Sequence, residues 1–324
     1  METHSQPPIP IREISRLTGV NSVTLRAWER RYGLIKPLRT NKGHRLYRRE
    51  DVELIKTIQA WLARGLAISK VSELLESGLP AKIVDVENVW QRYLNELLTI
   101  LAELNLGKLE AFFNQLLSVY PAALVADQLI SPALDNLDQD VFGNNVKKAV
   151  LINRLSEYLL MLTQRQRQQA KGKRIAIIQL NTSANSLLNV LLHYGLTMNH
   201  VKSEVLGLVS VAEVVFAAEQ LSLDGFIIFN DRCSSLSEFQ KDVMQLTKTT
   251  ALPIIVGGKL IHALTADFPS SVYLSHNVGQ QDVVKLLNSV FSDDIAVDID
   301  IDIDIDDEVD VNESDEVEYE SRKI

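Results

Sequence analysis

The sequence predicts a multidomain chain of α and α/β class, on three observations. Charge is segregated along the 324 residues, the hydrophobic period changes near residue 171 from helical to alternating strand and helix, and residues 292–324 are of low complexity. The usage is otherwise ordinary, 46% hydrophobic and 23% charged, which excludes a wholly disordered chain or a fibre. Apolar runs such as Ile175–Ile178 and Phe226–Phe229 fall far short of the roughly 20 residues a membrane helix needs. Met1 to Pro10 lacks the basic and apolar regions of a secretory signal. The single cysteine, Cys233, excludes an internal disulfide framework and a Cys-based zinc site. The expectation is a cytoplasmic protein without a membrane partner.

Residues 1–78 carry 14 Lys/Arg against 8 Asp/Glu, a net +6, whereas residues 293–324 carry 2 against 15, a net −13, and the middle is close to neutral. Within the head, Arg26 to Arg49 holds nine cations and the single carboxylate Glu29. Such a density points to a polyanionic partner.

The elements of the head follow from local signals. Ile11, Ile14 and Leu17 at three-residue spacing predict a short helix, Gly19 its stop, and Asn21-Ser22 the cap of a second helix over Val23–Tyr32 that ends at Gly33. Lys36–Tyr47, with Pro37 and Asn41-Lys42-Gly43, reads as a hairpin. Glu50-Asp51 opens a third helix through Val52, Ile55, Ile58 and Leu62, and Ser69 caps a fourth through Val71, Leu74 and Leu75. That order is a winged helix-turn-helix over residues 1–78.

Residues 79–170 read as a helical bundle. Its apolar stripes are Val89–Leu104, Leu109–Val119, Ala122–Leu137 and Val146–Leu162, with breaks at Asn105-Leu106-Gly107, Pro121 and Gly143. Gln164–Lys173 is polar and reads as a linker. Over residues 171–291 the runs Ile175–Leu180, Val205–Val209, Phe226–Phe229 and Ile254–Val256 look like strands buried on both faces. Helical patterns at Ser186–Tyr194, Val211–Leu221, Leu236–Leu246, His262–Ala266 and Gln281–Phe291 surround them, which predicts a doubly wound parallel sheet. In residues 292–324, Val297–Asp306 alternates apolar residues with aspartate, but five aspartates on one face would repel one another, so this acidic tail is expected to be disordered.

The chemistry concentrates in the second helix and hairpin. Leu25, Trp28 and Tyr32 share one face that can pack on the first helix, while Arg26 and Arg30, four apart, project together on another. A DNA major groove admits such a helix, and arginine can donate to guanine O6 and N7 or clamp a phosphate. The hairpin adds Arg39, Lys42, His44 and Arg45 beside it. The expected DNA-contact set is Thr24, Arg26, Trp28, Arg30, Arg31, Arg39, Lys42, His44, Arg45 and Tyr47. For Trp28, core packing and a phosphate-adjacent contact are both open.

Over roughly Ile9–Ser77 these residues closely resemble the DNA-binding domain of the MerR family of transcription regulators. Arg26, Arg39 and Gly43-His44-Arg45-Leu46-Tyr47 match its contact positions. The resemblance implies a dimer on an inverted repeat in promoter DNA, distorting it for or against RNA polymerase. Behind the head, the bundle and α/β region are similar to the cobalamin-binding module of the CarH/LitR-type branch. That module requires a histidine in the loop after the first strand. Here the loop is Asn181–Ser186, and no histidine occurs between Lys171 and Leu192. The Trp and Glu-His signatures of its bundle are missing too. The MlrA-type branch, with its degenerate α/β end, is the closer likeness.

The expectation is therefore a dimeric regulator without cofactor, metal site or catalytic residues, whose cobalamin-binding-like C-terminal domain serves oligomerisation or an unknown protein or ligand. The alternative is a cobalamin- or small-ligand-responsive sensor. Gly257-Gly258-Lys259 could hold an anion but reads better as a tight turn, Cys233 has no catalytic neighbours, and His193, His200, His262 and His276 lack metal-ligand spacing.

Overall fold

The computed structural model describes residues 7–77, 88–167, 170, 172–180, 186–230, 233–275 and 279–291. The expected tail, the Asn181–Asn185 stretch and the segment joining head to bundle lie outside the described residues.

In the head, β1 (Ile9–Pro10) leads into α1 (Ile11–Thr18), and α2 (Ser22–Tyr32) follows a tight turn. Gly19 and Gly33 close the two helices in the left-handed conformation (φ +70° and +59°), which an L side chain adopts at a cost. Asn21 caps α2 as expected, its side-chain oxygen accepting from the Thr24 N–H at 2.7 Å. β2 (Leu38–Arg39) and β3 (Arg45–Tyr47) make the hairpin, and β1 adds to β3, so the wing is a three-stranded antiparallel sheet of order β1-β3-β2. Its tip turns because the Gly43 N–H donates to the Thr40 carbonyl at 2.9 Å with Gly43 at φ +88°. α3 (Arg49–Ala63) and α4 (Ile68–Ser77) complete the head. α4 begins one residue before Ser69, which therefore lies inside the first turn and is not the cap.

The bundle comprises α5 (Val89–Glu103), α6 (Leu106–Val119), α7 (Ala122–Val125), α8 (Ser131–Leu137) and α9 (Asn144–Arg167). The single helix expected over Ala122–Leu137 is interrupted by a π-turn at Ala126–Ile130. Pro132 explains it: proline offers no N–H to the preceding turn, and its ring crowds the carbonyl four residues back. α9 also runs through Gln164–Arg167, so the first part of the expected linker is helix.

The last unit is a parallel sheet of order β5-β4-β6-β7-β8, built from β4 (Arg174–Gln179), β5 (Lys202–Leu208), β6 (Gly225–Phe229), β7 (Ile254–Gly257) and β8 (Val272–Leu274). α10 (Ser186–Met198), α11 (Val211–Leu221), α12 (Leu236–Thr249) and α13 (Gln280–Val290) cover its faces. β4, β6 and β7 are buried on both faces, as their apolar runs require. β5 is not: as an edge strand it leaves Val205 and Leu208 in solvent. β8 went unforeseen, three residues being too short for a periodic signal. His262–Ala263 falls in a 3-10 turn, Lys259–Ala263, where a helix was expected.

One apolar core runs through the head, the bundle and the bundle-side face of the sheet; a second fills the other face. Among the described residues no helix is long and apolar enough to cross a membrane.

Candidate nucleic-acid interface

The position of α2 is set by its tryptophan. Trp28 is fully buried, and its indole N–H donates to the Val119 carbonyl at 2.8 Å. Val119 ends α6, and its carbonyl is one of the four that a helix C-terminus cannot satisfy internally. Trp90 of α5 answers in the opposite direction, donating to Leu62 near the end of α3 at 2.7 Å. Two reciprocal indole bonds thus lock head to bundle. Trp90 is also packed edge-on with Tyr120 at 4.9 Å and Tyr93 at 5.9 Å between ring centres.

The head docks on the α/β unit by the same device. Asn288 of α13 donates to the Arg16 carbonyl in the last turn of α1 at 2.7 Å. The Asn199 amide donates to Gly19 at 3.3 Å, and its oxygen accepts from the Ser15 hydroxyl at 2.9 Å. α13 is held at its other end by the bundle. Asp127, in the π-turn, accepts from the Gln280 and Gln281 backbone N–H groups at 2.7 and 3.2 Å, capping a helix whose own N-cap, Gly279, has no side chain to do so.

With α2 held in this way, its outward stripe is Val23, Arg26 and Arg30 at helical spacing. Val23 and Arg30 are exposed and Arg26 is half-buried. Beside it stands the wing, clipped to α2 by Glu29. One carboxylate oxygen accepts from Arg39 Nη2 at 2.9 Å, the other from Arg45 Nε at 2.5 Å. Arg39 also donates to the Gly43 carbonyl at 3.3 Å. Both Arg45 and Glu29 are largely buried, at 14% and 17% side-chain exposure, so this clip is shielded from solvent screening.

The expected contact residues therefore divide. Arg30, Arg31, Arg39 and Lys42 are exposed, and Arg26, His44 and Arg45 are half-buried, all on the α2–wing side. Thr24, Trp28 and Tyr47 are fully buried and are corrected out of the surface a duplex can reach. Thr24 points inward from the first turn of α2, Trp28 seals the bundle, and Tyr47, the last residue of β3, is buried in the core of the head. Two residues were missed. Glu29 had a signal, since one carboxylate among nine cations will pair with some of them. Val23 had none beyond its place at the helix start.

Burial pushes the Tyr47 phenol far above its usual range, reinforced by Glu29 and partly offset by Arg45 and Arg26. Its hydroxyl is buried with no hydrogen-bond partner among the described residues. Removing an unsatisfied buried hydroxyl costs little. Tyr47→Phe is thus expected to leave the denaturation midpoint unchanged or raised, within about 1 kcal/mol, whereas a phenol that bonds to a ligand would register as lost affinity.

The glycine pair after β7 serves packing. A Cβ on Gly257 would lie 2.3 Å from Val283 Cγ2, and one on Gly258 would lie 2.3 Å from the Asn230 carbonyl oxygen. Val283 and Phe229 thus occupy the space over the turn, and the Lys259–Ala263 helix after it has only five residues.

An outward-facing helix stripe beside a basic wing defines the N-terminal region as a winged helix-turn-helix nucleic-acid-binding module. Residues 9–78 match the family model described as MerR HTH family regulatory protein. The chain is 41% identical over 122 residues to the HTH-type transcriptional regulator MlrA of Escherichia coli, a match covering 38% of this chain and 49% of the relative. It is 36% identical over 85 residues to the HTH-type transcriptional repressor CarA of Myxococcus xanthus, covering 26% and 30%. With CarH of the same organism it shares 28% over 129 residues, covering 37% and 43%. The chain thus spans about half or less of the length of these curated relatives. Among solved structures, a cobalamin-binding protein from Desulfitobacterium hafniense overlays on 60% of this chain and 97% of its own, at 16% identity and a TM-score of 0.31.

Proposed function

We propose that this protein is a sequence-specific DNA-binding transcription regulator that acts as a homodimer on promoter DNA. The observation that carries the reading is the Val23–Arg26–Arg30 stripe of α2 set beside a wing whose arginines are clipped in place by Glu29. In this reading α2 enters the major groove, where Arg26 and Arg30 donate to guanine edges or phosphates and Val23 meets a thymine methyl. Arg31, Arg39, Lys42 and His44 straddle the neighbouring backbone. Two heads supply the contacts that repay the cost of distorting the duplex. The C-terminal α/β unit serves self-association, or an encounter with another protein or small ligand, and RNA polymerase is the partner at the promoter.

The test is a gel shift of the full chain with natural promoter fragments against scrambled competitor at fixed salt, with sedimentation to count the subunits bound. Preference for a promoter fragment by a dimer is expected; equal binding to scrambled DNA refutes the reading. Affinity is also expected to fall steeply with salt, because the cations must displace counterions.

Glu29→Gln separates positioning from charge. Removing the carboxylate raises non-specific affinity, while the released wing lowers the promoter-to-random ratio by about 1 kcal/mol, roughly fivefold. A ratio equal to that of the wild type would show that the clip plays no part in discrimination.

A further inference from the structure

The acidic residues 293–324 have no role in the reading above. Their net charge of −13 is the largest concentration of one sign in the sequence, and the nine cations of Arg26–Arg49 are its largest counterpart. Where the described chain ends is therefore informative. α13 runs alongside α1, Val284 approaches the Gly19 turn, and Asn288 donates to the Arg16 carbonyl, so the last described helix ends within one turn of a contact with the head.

Reach is sufficient. The 15 residues from Phe291 to Asp306 have a contour of up to about 50 Å. A domain the size of the head has a radius of gyration of about 11 Å and is under about 30 Å across. The contour exceeds the width of the head. Tethering so close makes the encounter intramolecular, at an effective concentration of order millimolar, against which non-specific duplex must compete. In Val297–Asp306 the aspartates recur at every second residue, so charge is concentrated in the part of the segment nearest the described chain.

We propose that the acidic segment 293–324 occupies the basic surface formed by α2 and the wing and competes there with DNA, so that a promoter able to make base contacts displaces it and random duplex does not. Arg30, Arg31, Lys36, Arg39 and Lys42, all exposed, are its counter-charges. Exposed charges of this kind are screened by salt, so the competition belongs to low and physiological ionic strength. The inference rests on the proposed DNA-binding role of this surface.

The test uses the full chain with Asp298, Asp300, Asp302, Asp304 and Asp306 all changed to Asn, against wild type. Random-sequence duplex is expected to bind the variant about 3- to 10-fold more tightly at 50 mM salt, with the two curves converging near 300 mM. Carbodiimide coupling of the wild type without DNA is expected to link carboxylates of 293–324 to Lys36 or Lys42, and excess duplex to suppress those links. Equal affinity of the two proteins for duplex at low salt overturns the competition, whatever the links show. If neither protein binds any DNA, the DNA-binding reading fails. The links then decide the contact alone: their presence upholds docking of the segment on the head, and their absence overturns it.

Discussion

Replacing Trp28 with alanine is expected to cost about 3–5 kcal/mol of stability, the range for truncating a large buried aromatic. The side chain is fully enclosed between α2 and α6, and its N–H satisfies the Val119 carbonyl, so the variant opens a cavity and orphans an acceptor. Denaturant unfolding followed by far-UV circular dichroism reads the loss as a lowered midpoint. Trp28→Phe separates the two causes. It keeps most of the volume but not the donor, and about 1–2 kcal/mol is expected. A Trp28→Ala protein with an unchanged midpoint would mean that the indole does not hold the head to the bundle.

The second large effect falls on binding. Arg26→Ala is expected to weaken promoter affinity by about 1–3 kcal/mol, roughly 5- to 150-fold, with relaxed discrimination at the base pair it contacts. Lys42→Ala, at the wing tip, provides the contrast. It is expected to lower affinity evenly across sequences and to reduce the salt slope by about one. Competition binding over a panel of single-base operator variants distinguishes the two patterns. An Arg26→Ala protein whose sequence preference matches the wild type would remove Arg26 from base recognition.

Much of the head was legible because its signals are short-range. Ile11, Ile14 and Leu17 repeat on one helical face, Asn21 and Gly33 mark ends, and Asn41-Lys42-Gly43 names a turn; each needs only neighbours along the chain. The buried strands of the α/β unit were legible for the same reason, as unbroken apolar runs between helical patterns. β8 escaped because Val272–Leu274 is too short to show a period, and the exposure of β5 because nothing in Lys202–Leu208 announces an edge. The π-turn at Ala126–Ile130 had a cause in Pro132, but a proline inside an apolar stripe is equally compatible with a kink or a break.

The site was legible as a set of cations and not as a surface. Arg30, Arg31, Arg39 and Lys42 could be named from their density alone, since long charged side chains seldom leave water. Tyr47 enters the same set through its place in the Gly43–Tyr47 motif, and Trp28 stands open between core and contact; both, with Thr24, are buried, which the sequence alone does not show.

By itself, then, the sequence determined the order of the elements, the basic character of α2 and the wing, and the MerR-like pattern of the head. All three are sums over near neighbours, which the chain carries wherever it folds. Only the tertiary structure decided which face of α2 looks outward, that Glu29 holds Arg39 and Arg45, and that Asp127, Asn199 and Asn288 join three units into one body. Those outcomes depend on what packs opposite each side chain, and on helix-end carbonyls satisfied by residues up to 272 positions away.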